Sequence, residues 1–123
     1  MTSTAVFLDR DGTIVEDLGY IGEPEQLRLI PGAADALRRF SREGYLVVVV
    51  SNQSGVARGL FDEADLSRVH ARLEALLAEC GASLDGAYYC PYLSGAEATV
   101  EAYRRESELR KPAPGMLLQA AGE

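Results

Sequence analysis

No apolar run in these 123 residues is longer than Tyr45 to Val50. A helix that spans a bilayer needs about 20 such residues, so no membrane partner is expected. Basic residues are also scarce. Twelve Lys and Arg face 19 Asp and Glu, the net charge is −7, and no Lys/Arg-rich run gathers the cations. A chain with that balance repels nucleic-acid phosphates, which argues against a nucleic-acid partner. The two cysteines, Cys80 and Cys90, are too few for a disulfide scaffold. The opening Met-Thr-Ser-Thr has neither the basic start nor the long apolar stretch of an export signal. Reduced thiols and a cytoplasmic location are therefore expected. The single histidine, His70, falls inside a predicted helix, where a half-buried or solvated side chain is expected rather than a ligand. Internal repeats and low-complexity segments are missing too. What remains is 47% hydrophobic and 25% charged, the composition of one globular domain.

The chain alternates short β-rich runs with longer amphipathic ones. Ala5 to Leu8 reads as a buried strand. Asp9 to Pro31 is poor in apolar positions and is expected to be mostly loop, a length that in a compact domain usually carries function. Ala33, Ala36, Leu37 and Phe40 recur at helical spacing and predict a helix from Ala33 to Glu43, with Gly44 as its cap. Tyr45 to Val50 is a continuous β-branched run, as expected of a strand covered on both faces. Asp62 and Asp65 resemble an acidic capping box. They open a helix that runs to about Cys80, buries Leu66, Val69, Leu73, Leu76 and Leu77, and packs Cys80 as a small hydrophobe. Gly86 to Cys90 reads as a third strand. Pro91 to Arg110 is a long polar connection with a helical piece near Ala98 to Glu106, and a last helix is expected from Pro112 to Ala121. This βαβ series implies an α/β fold, a Rossmann-like parallel sheet with flanking helices. Ligands of such sheets bind outside the carboxyl ends of the strands.

Each strand is followed by polar, reactive residue types. Asp9 and Asp11 lie two apart after the first strand, and i, i+2 side chains of an extended segment point the same way. Two adjacent carboxylates repel unless a cation or a proton intervenes. A hard cation such as Mg²⁺ suits them. One carboxylate can also attack an electrophile while the other donates and accepts a proton. Asp-Gly is equally a common turn dipeptide, but the buried strand before the pair and Thr13 after it favour chemistry. After the second strand comes Ser51-Asn52-Gln53-Ser54-Gly55, and after the third Cys90-Pro91-Tyr92, then Arg110-Lys111-Pro112. A lysine at a helix start strengthens an anion site. Arg58 is either a second phosphate clamp or a solvated loop charge.

Phe7-Leu8-Asp9-Arg10-Asp11-Gly12-Thr13 resembles the first motif of the haloacid dehalogenase-like phosphatases. Ser51-Asn52 resembles their second motif, and Lys111-Pro112 their third. Together with Gly19-Tyr20, Ala57-Arg58-Gly59, Tyr88-Tyr89-Cys90-Pro91 and Pro114-Gly115-Met116, these motifs resemble the D-glycero-D-manno-heptose-1,7-bisphosphate phosphatases, with histidinol-phosphate phosphatases as near kin. The resemblance covers nearly the whole chain. It implies an enzyme that hydrolyses a small-molecule sugar phosphate, at the C7 phosphate of the heptose bisphosphate. Asp9 would be the nucleophile that forms an aspartyl-phosphate, and Asp11 would protonate the leaving alcohol and then activate water. The Asp9 carboxylate and the Asp11 carbonyl would bind Mg²⁺. Ser51 and Lys111 would hold the phosphoryl oxygens. Asp17, Gly19, Tyr20, Asn52, Gln53, Ser54 and Arg110 align with substrate-contacting positions.

Two features depart from that family. Its zinc loop carries Cys-x-His after the third strand and Cys-x-Cys before Arg-Lys-Pro. This chain keeps Cys90 but has Tyr92, Ser107 and Leu109 at the other places, so no structural zinc is expected. The family's fourth motif, an acidic Gly-Asp-x-x-x-Asp after a fourth strand beside the first, is also missing up to Glu123. The expectation is a single haloacid dehalogenase-like domain over residues 1–123, truncated before that motif and without its C-terminal strands. A full-length form is expected to be a monomer. A product of only these residues is expected to be weakly active and to self-associate through the free edge of Ala5 to Leu8. The rival reading is a non-catalytic remnant that binds phosphate with its first three motifs.

Overall fold

The structure, a computed structural model, describes residues 4–111 and 113–121. Strands β1 (Ala5–Leu8), β2 (Leu46–Asn52) and β3 (Gly86–Cys90) pair in parallel in the order β1-β2-β3. Phe7 lies opposite Val48, and Val50 opposite Tyr88. A central parallel strand must be covered on both faces, and Val47 to Val50 are all buried. Val47 and Val49 face the larger core. They meet Leu37 of helix α1 (Ala33–Arg42) and Val69, Leu73 and Leu77 of helix α2 (Glu63–Glu79). Val48 and Val50 face the other way, towards Cys90 and Met116 of helix α3 (Gly115–Ala121). Full burial of side chains such as Leu73 and Leu77 is worth about 1.5–3 kcal/mol each. Among the described residues no helix is long and apolar enough to cross a membrane.

The helix ends follow their sequence signals. Gly44, just past α1, takes φ +88°, a left-handed conformation that glycine adopts without a Cβ penalty. At α2 the Asp62 side chain accepts the Asp65 N–H and the Asp65 side chain accepts the Asp62 N–H, so two otherwise orphaned donors are satisfied reciprocally.

Besides β1, read as buried but only half-buried with Phe7 exposed, and Leu76, which is only partly buried, the structure departs from the sequence expectations in six places. First, the segment after β1 is mostly loop as expected, but it contributes to the core. Ile14, Val15, Ile21 and Leu27 are buried in the main core, Val15 bridges Asp11 and Leu29, and Pro24–Gln26 forms a 3-10 turn. These four apolar residues have no common period, so pattern alone hides them. Second, β2 starts at Leu46 and runs on to Asn52, because Ser51 and Asn52 pair with Tyr89 and Cys90. Third, α3 starts at Gly115, later than expected; Pro112, the expected start, lies outside the described residues. Fourth, the piece near Ala98 to Glu106 shrinks to a 3-10 turn, Glu101–Tyr103. Fifth, Cys80 caps the end of α2 and is exposed, not packed as a small hydrophobe, whereas Cys90 is buried. Sixth, α1 fully buries only Leu37 of its apolar stripe, and Ala36 faces solvent.

Candidate active site

A parallel sheet puts the segments that leave its strands at one end. The residues after β1, β2 and β3 meet there. Asp9 follows β1 directly, and its carboxylate is nearly half exposed. Lys111 Nζ lies 3.3 Å from Asp9 Oδ1. The two groups come from opposite ends of the chain, so only the fold places that charge pair.

Lys111 is not held by a helix start, since α3 begins four residues later. Asn52 holds it instead. The Lys111 N–H donates to Asn52 Oδ1 over 2.9 Å, and Asn52 Nδ2 donates to the Lys111 carbonyl over 3.1 Å. Asn52 closes a two-point clamp from the end of β2 onto the lysine backbone. Asn52→Ala is expected to lower stability by about 1–3 kcal/mol, the net worth of two hydrogen bonds. It is also expected to weaken phosphate capture by about tenfold, because Lys111 loses its anchor. Calorimetry and a phosphate titration of the variant check this; unchanged melting and binding would remove Asn52 from the site.

Asp11 has a different environment from Asp9. Arg10 Nε donates to Asp11 Oδ1 at 2.7 Å and Arg10 Nη2 to Oδ2 at 3.2 Å. Gln53 Nε2 adds a longer bond to Oδ2, 3.3 Å, and also donates to Ser51 Oγ at 2.9 Å. The backbone does not continue as a strand here. The Arg10 carbonyl accepts from the N–H groups of Thr13, Ile14 and Val15, so the chain turns at Arg10. The fold thus separates the two carboxylates by partner: Asp9 looks to Lys111, and Asp11 to Arg10 and Gln53.

The other expected substrate residues fall into two groups. Ser51 and Gln53 are buried, and the Gln53 amide is spent on Ser51 and Asp11, so it organises the site from behind. Asp17, Gly19 and Tyr20 lie exposed on the excursion after β1, where Asp17 Oδ1 accepts the Gly19 N–H at 3.2 Å. Tyr20 lies under Arg58, whose guanidinium carbon is 5.2 Å from the ring centroid. Arg58 also donates to Ser54 Oγ at 3.2 Å and pairs with Glu97 at 2.8 Å. Arg58 is therefore not a solvated loop charge: it joins the segments after all three strands, with its own charge matched by Glu97. Arg110 is half-buried and donates to the Tyr92 carbonyl at 3.3 Å.

The connection from Pro91 to Arg110 is held by its own contacts. Arg105 stacks 4.0 Å over the Tyr92 ring, Tyr92 packs on Tyr103, and Ser107 Oγ accepts the Leu109 N–H. Burial pushes the Cys90 thiol up from its usual range, which disfavours the thiolate that a metal ligand must be. Among the described residues no three His, Cys, Asp or Glu side chains gather as a metal site.

Sequence reasoning missed one group of residues. Arg10 is completely buried, its guanidinium lies 5.7 Å over the Tyr89 ring, and Tyr89 Oη is 2.6 Å from His70 Nδ1. His70 Nε2 is in turn 2.6 Å from Glu74. Burial, against the opposing pull of Arg10, pushes the Tyr89 phenol up to about 12, so it stays a neutral O–H at physiological pH. The available signal was position: the residue between the two carboxylates, directly after a strand, is an arginine.

Comparison with known proteins places the chain in a family. The family model described as polynucleotide kinase 3 phosphatase matches residues 6–122. The chain belongs to this family. Curated relatives of this family member include two proteins named D-glycero-beta-D-manno-heptose-1,7-bisphosphate 7-phosphatase. The Photorhabdus laumondii protein is 46% identical over 119 residues, covering 97% of this chain and 62% of its own. The Escherichia coli K12 protein is 46% identical over 116 residues, covering 94% and 60%. The chain thus spans about three fifths of the length of the curated relatives it matches. Among solved structures, a HAD-like phosphatase from Mesorhizobium loti superposes with a TM-score of 0.90 at 38% identity, over 98% of this chain and 56% of that one. The D,D-heptose 1,7-bisphosphate phosphatase of B. bronchiseptica, complexed with magnesium and phosphate, gives 0.82 at 32% identity, over 97% and 62%. The α/β, haloacid dehalogenase-like fold read from the sequence is the fold of this family member.

Proposed function

We propose that this chain supplies the nucleophile, the acid/base and the phosphate-holding groups of a Mg²⁺-dependent phosphomonoesterase. Its preferred substrate is D-glycero-D-manno-heptose 1,7-bisphosphate, cleaved at the C7 phosphate. The observation that carries this reading is the partition of the two carboxylates, with half-exposed Asp9 beside Lys111 and Asp11 held by Arg10 and Gln53. A nucleophile must be open to the phosphorus. An acid/base must be fixed beside it. Asp9 Oδ attacks phosphorus, the P–O ester bond breaks, and Asp11 gives its proton to the departing alkoxide. Water then attacks the aspartyl-phosphate while Asp11 takes back a proton, and inorganic phosphate leaves. Lys111 and Ser51 draw negative charge away from the transferring oxygens.

The residues fit a hard cation in kind. The Asp9 carboxylate is half-exposed, and among the described residues no hydrogen bond ends on the Asp11 carbonyl, so two oxygens are free to hold Mg²⁺. Bound there, the ion offsets the repulsion between Asp9 and an incoming phosphate dianion. The substrate choice draws support from the relatives named heptose-bisphosphate phosphatases. A nucleic-acid substrate, which the family description names, fits less well with a net charge of −7.

Phosphate release by a full-length form, this chain followed by the fourth motif, tests the reading. Turnover of the heptose bisphosphate is expected to rise with Mg²⁺, to vanish with a chelator, and to exceed turnover of histidinol phosphate. No Mg²⁺-dependent release from either ester would overturn it. Elemental analysis of the same chelator-free preparation is expected to show no stoichiometric zinc, because Tyr92, Ser107 and Leu109 stand where thiolates and an imidazole would be needed. One zinc per chain would refute that part.

A further inference from the structure

We propose that Arg10 is a positioning residue: it aims the Asp11 carboxyl for proton transfer at the ester oxygen without itself touching the substrate. The inference rests on the phosphatase reading above. A carboxylate offers about four lone-pair sites. Arg10 fills two of them with a fork of Nε and Nη2, and Gln53 fills a third. Among the described residues no other donor reaches Asp11, so one site remains, on the oxygen that Gln53 does not touch. The proton passes there in both directions.

The arginine is itself fixed. It is completely buried, whereas Asp11 keeps a minor share of exposure, so the cation is rigid and the carboxyl faces the mouth. Its backbone is pinned from both sides, by the Arg10 N–H to Asp9 Oδ1 at 2.8 Å and by three N–H groups on its carbonyl. Tyr89 backs the guanidinium, and His70, itself held by Glu74, holds Tyr89 from α2. Nη1 has no hydrogen-bond partner among the described residues. A buried guanidinium with an unmet N–H is expensive for stability alone, and an apolar side chain would pack there at lower cost. The fork geometry explains its presence: a planar guanidinium sets the orientation of a carboxyl, which a point charge does not.

The test separates orientation from mere structural support through the leaving group. An alkyl phosphate needs a proton on its departing oxygen, whereas p-nitrophenyl phosphate leaves as a stable anion. kcat/KM reports the first phosphoryl transfer and so excludes the later water step, which both substrates share. Arg10→Met is expected to lower kcat/KM for the heptose bisphosphate by about a hundredfold, within the range of general acid catalysis, and to leave that for p-nitrophenyl phosphate nearly unchanged. Arg10→Lys keeps a buried cation but loses the fork, and is expected to fold and to show a gap of about tenfold. If both substrates fall together in either folded variant, Arg10 is a structural residue and the proposal is overturned. A crystal structure of Arg10→Lys gives a readout independent of turnover. The Asp11 carboxyl is expected to leave Gln53 Nε2 and turn. If it stays in place, the proposal fails even should the phosphatase reading stand. If the wild-type protein turns over neither ester but Asp11 turns in the variant, the phosphatase reading fails and the positioning contact stands.

Discussion

Asp9→Asn is expected to lower phosphate release by at least about a thousandfold while leaving the melting temperature close to wild type. The substitution keeps the size of the side chain and an oxygen that can accept the Arg10 N–H, now 2.8 Å away. Asp9 is nearly half exposed, so its exchange perturbs little packing. What disappears is the anionic oxygen. An amide does not attack phosphorus, and the charge that Lys111 faces at 3.3 Å is gone. Loss of that exposed ion pair costs about 0–1 kcal/mol of stability at most. Phosphate release with Mg²⁺ present, paired with calorimetry, separates the two effects. Wild-type turnover in the variant would exclude the aspartyl-phosphate route.

Gly55→Ala is expected to destabilise the protein by about 1–3 kcal/mol and to disorder the segment that carries Ser51 to Ser54. A Cβ at position 55 would lie 2.3 Å from Phe61 Cε1 and 2.4 Å from Cζ. The ring has little room to retreat. On another side it lies against Gly22, where an added Cβ would come within 2.7 Å of Phe61 Cδ1. Phe61 is buried with Val56 and Leu66, so moving it disturbs a small core beside the site. A domain of this size should melt several degrees lower. Phe61→Leu in the same chain relieves the contact, so the double variant is expected to lose less than the sum of the two single changes. Melting curves of the three variants decide it. If Gly55→Ala melts like wild type, the ring is not confined as described.

Much of the architecture was legible because its signals are local. Four consecutive valines, Val47 to Val50, describe a central strand covered on both faces, whatever covers it. Asp62 and Asp65 form a capping box within four residues, and the structure closes it as read. Asp9, Asp11 and Lys111 stand after strands, and Ser51 near the end of one, and parallel pairing brings those ends together. Where signals needed distant partners, reading failed. Ile14, Val15, Ile21 and Leu27 enter the core only because the excursion folds back and pairs Val15 with Leu29. Cys80, apolar by type, ends at a helix cap in solvent.

The amino-acid sequence by itself determined the alternation of strands and helices, the polar segments at the strand ends and the paired carboxylates of the candidate site, since each follows from periodicity or short spacing. Only the tertiary structure decided which group serves which. It set Lys111 beside Asp9 rather than Asp11, and gave Asn52 the lysine backbone to hold across 59 positions of chain. It turned Gln53 inward to join Ser51 and Asp11. It also buried Arg10 between the two carboxylates and bound it to the second of them. The reason is physical. A side chain's partner is fixed by where the backbone turns and by which polar groups must find one another once water is excluded, and neither is written in the spacing of residues along the chain.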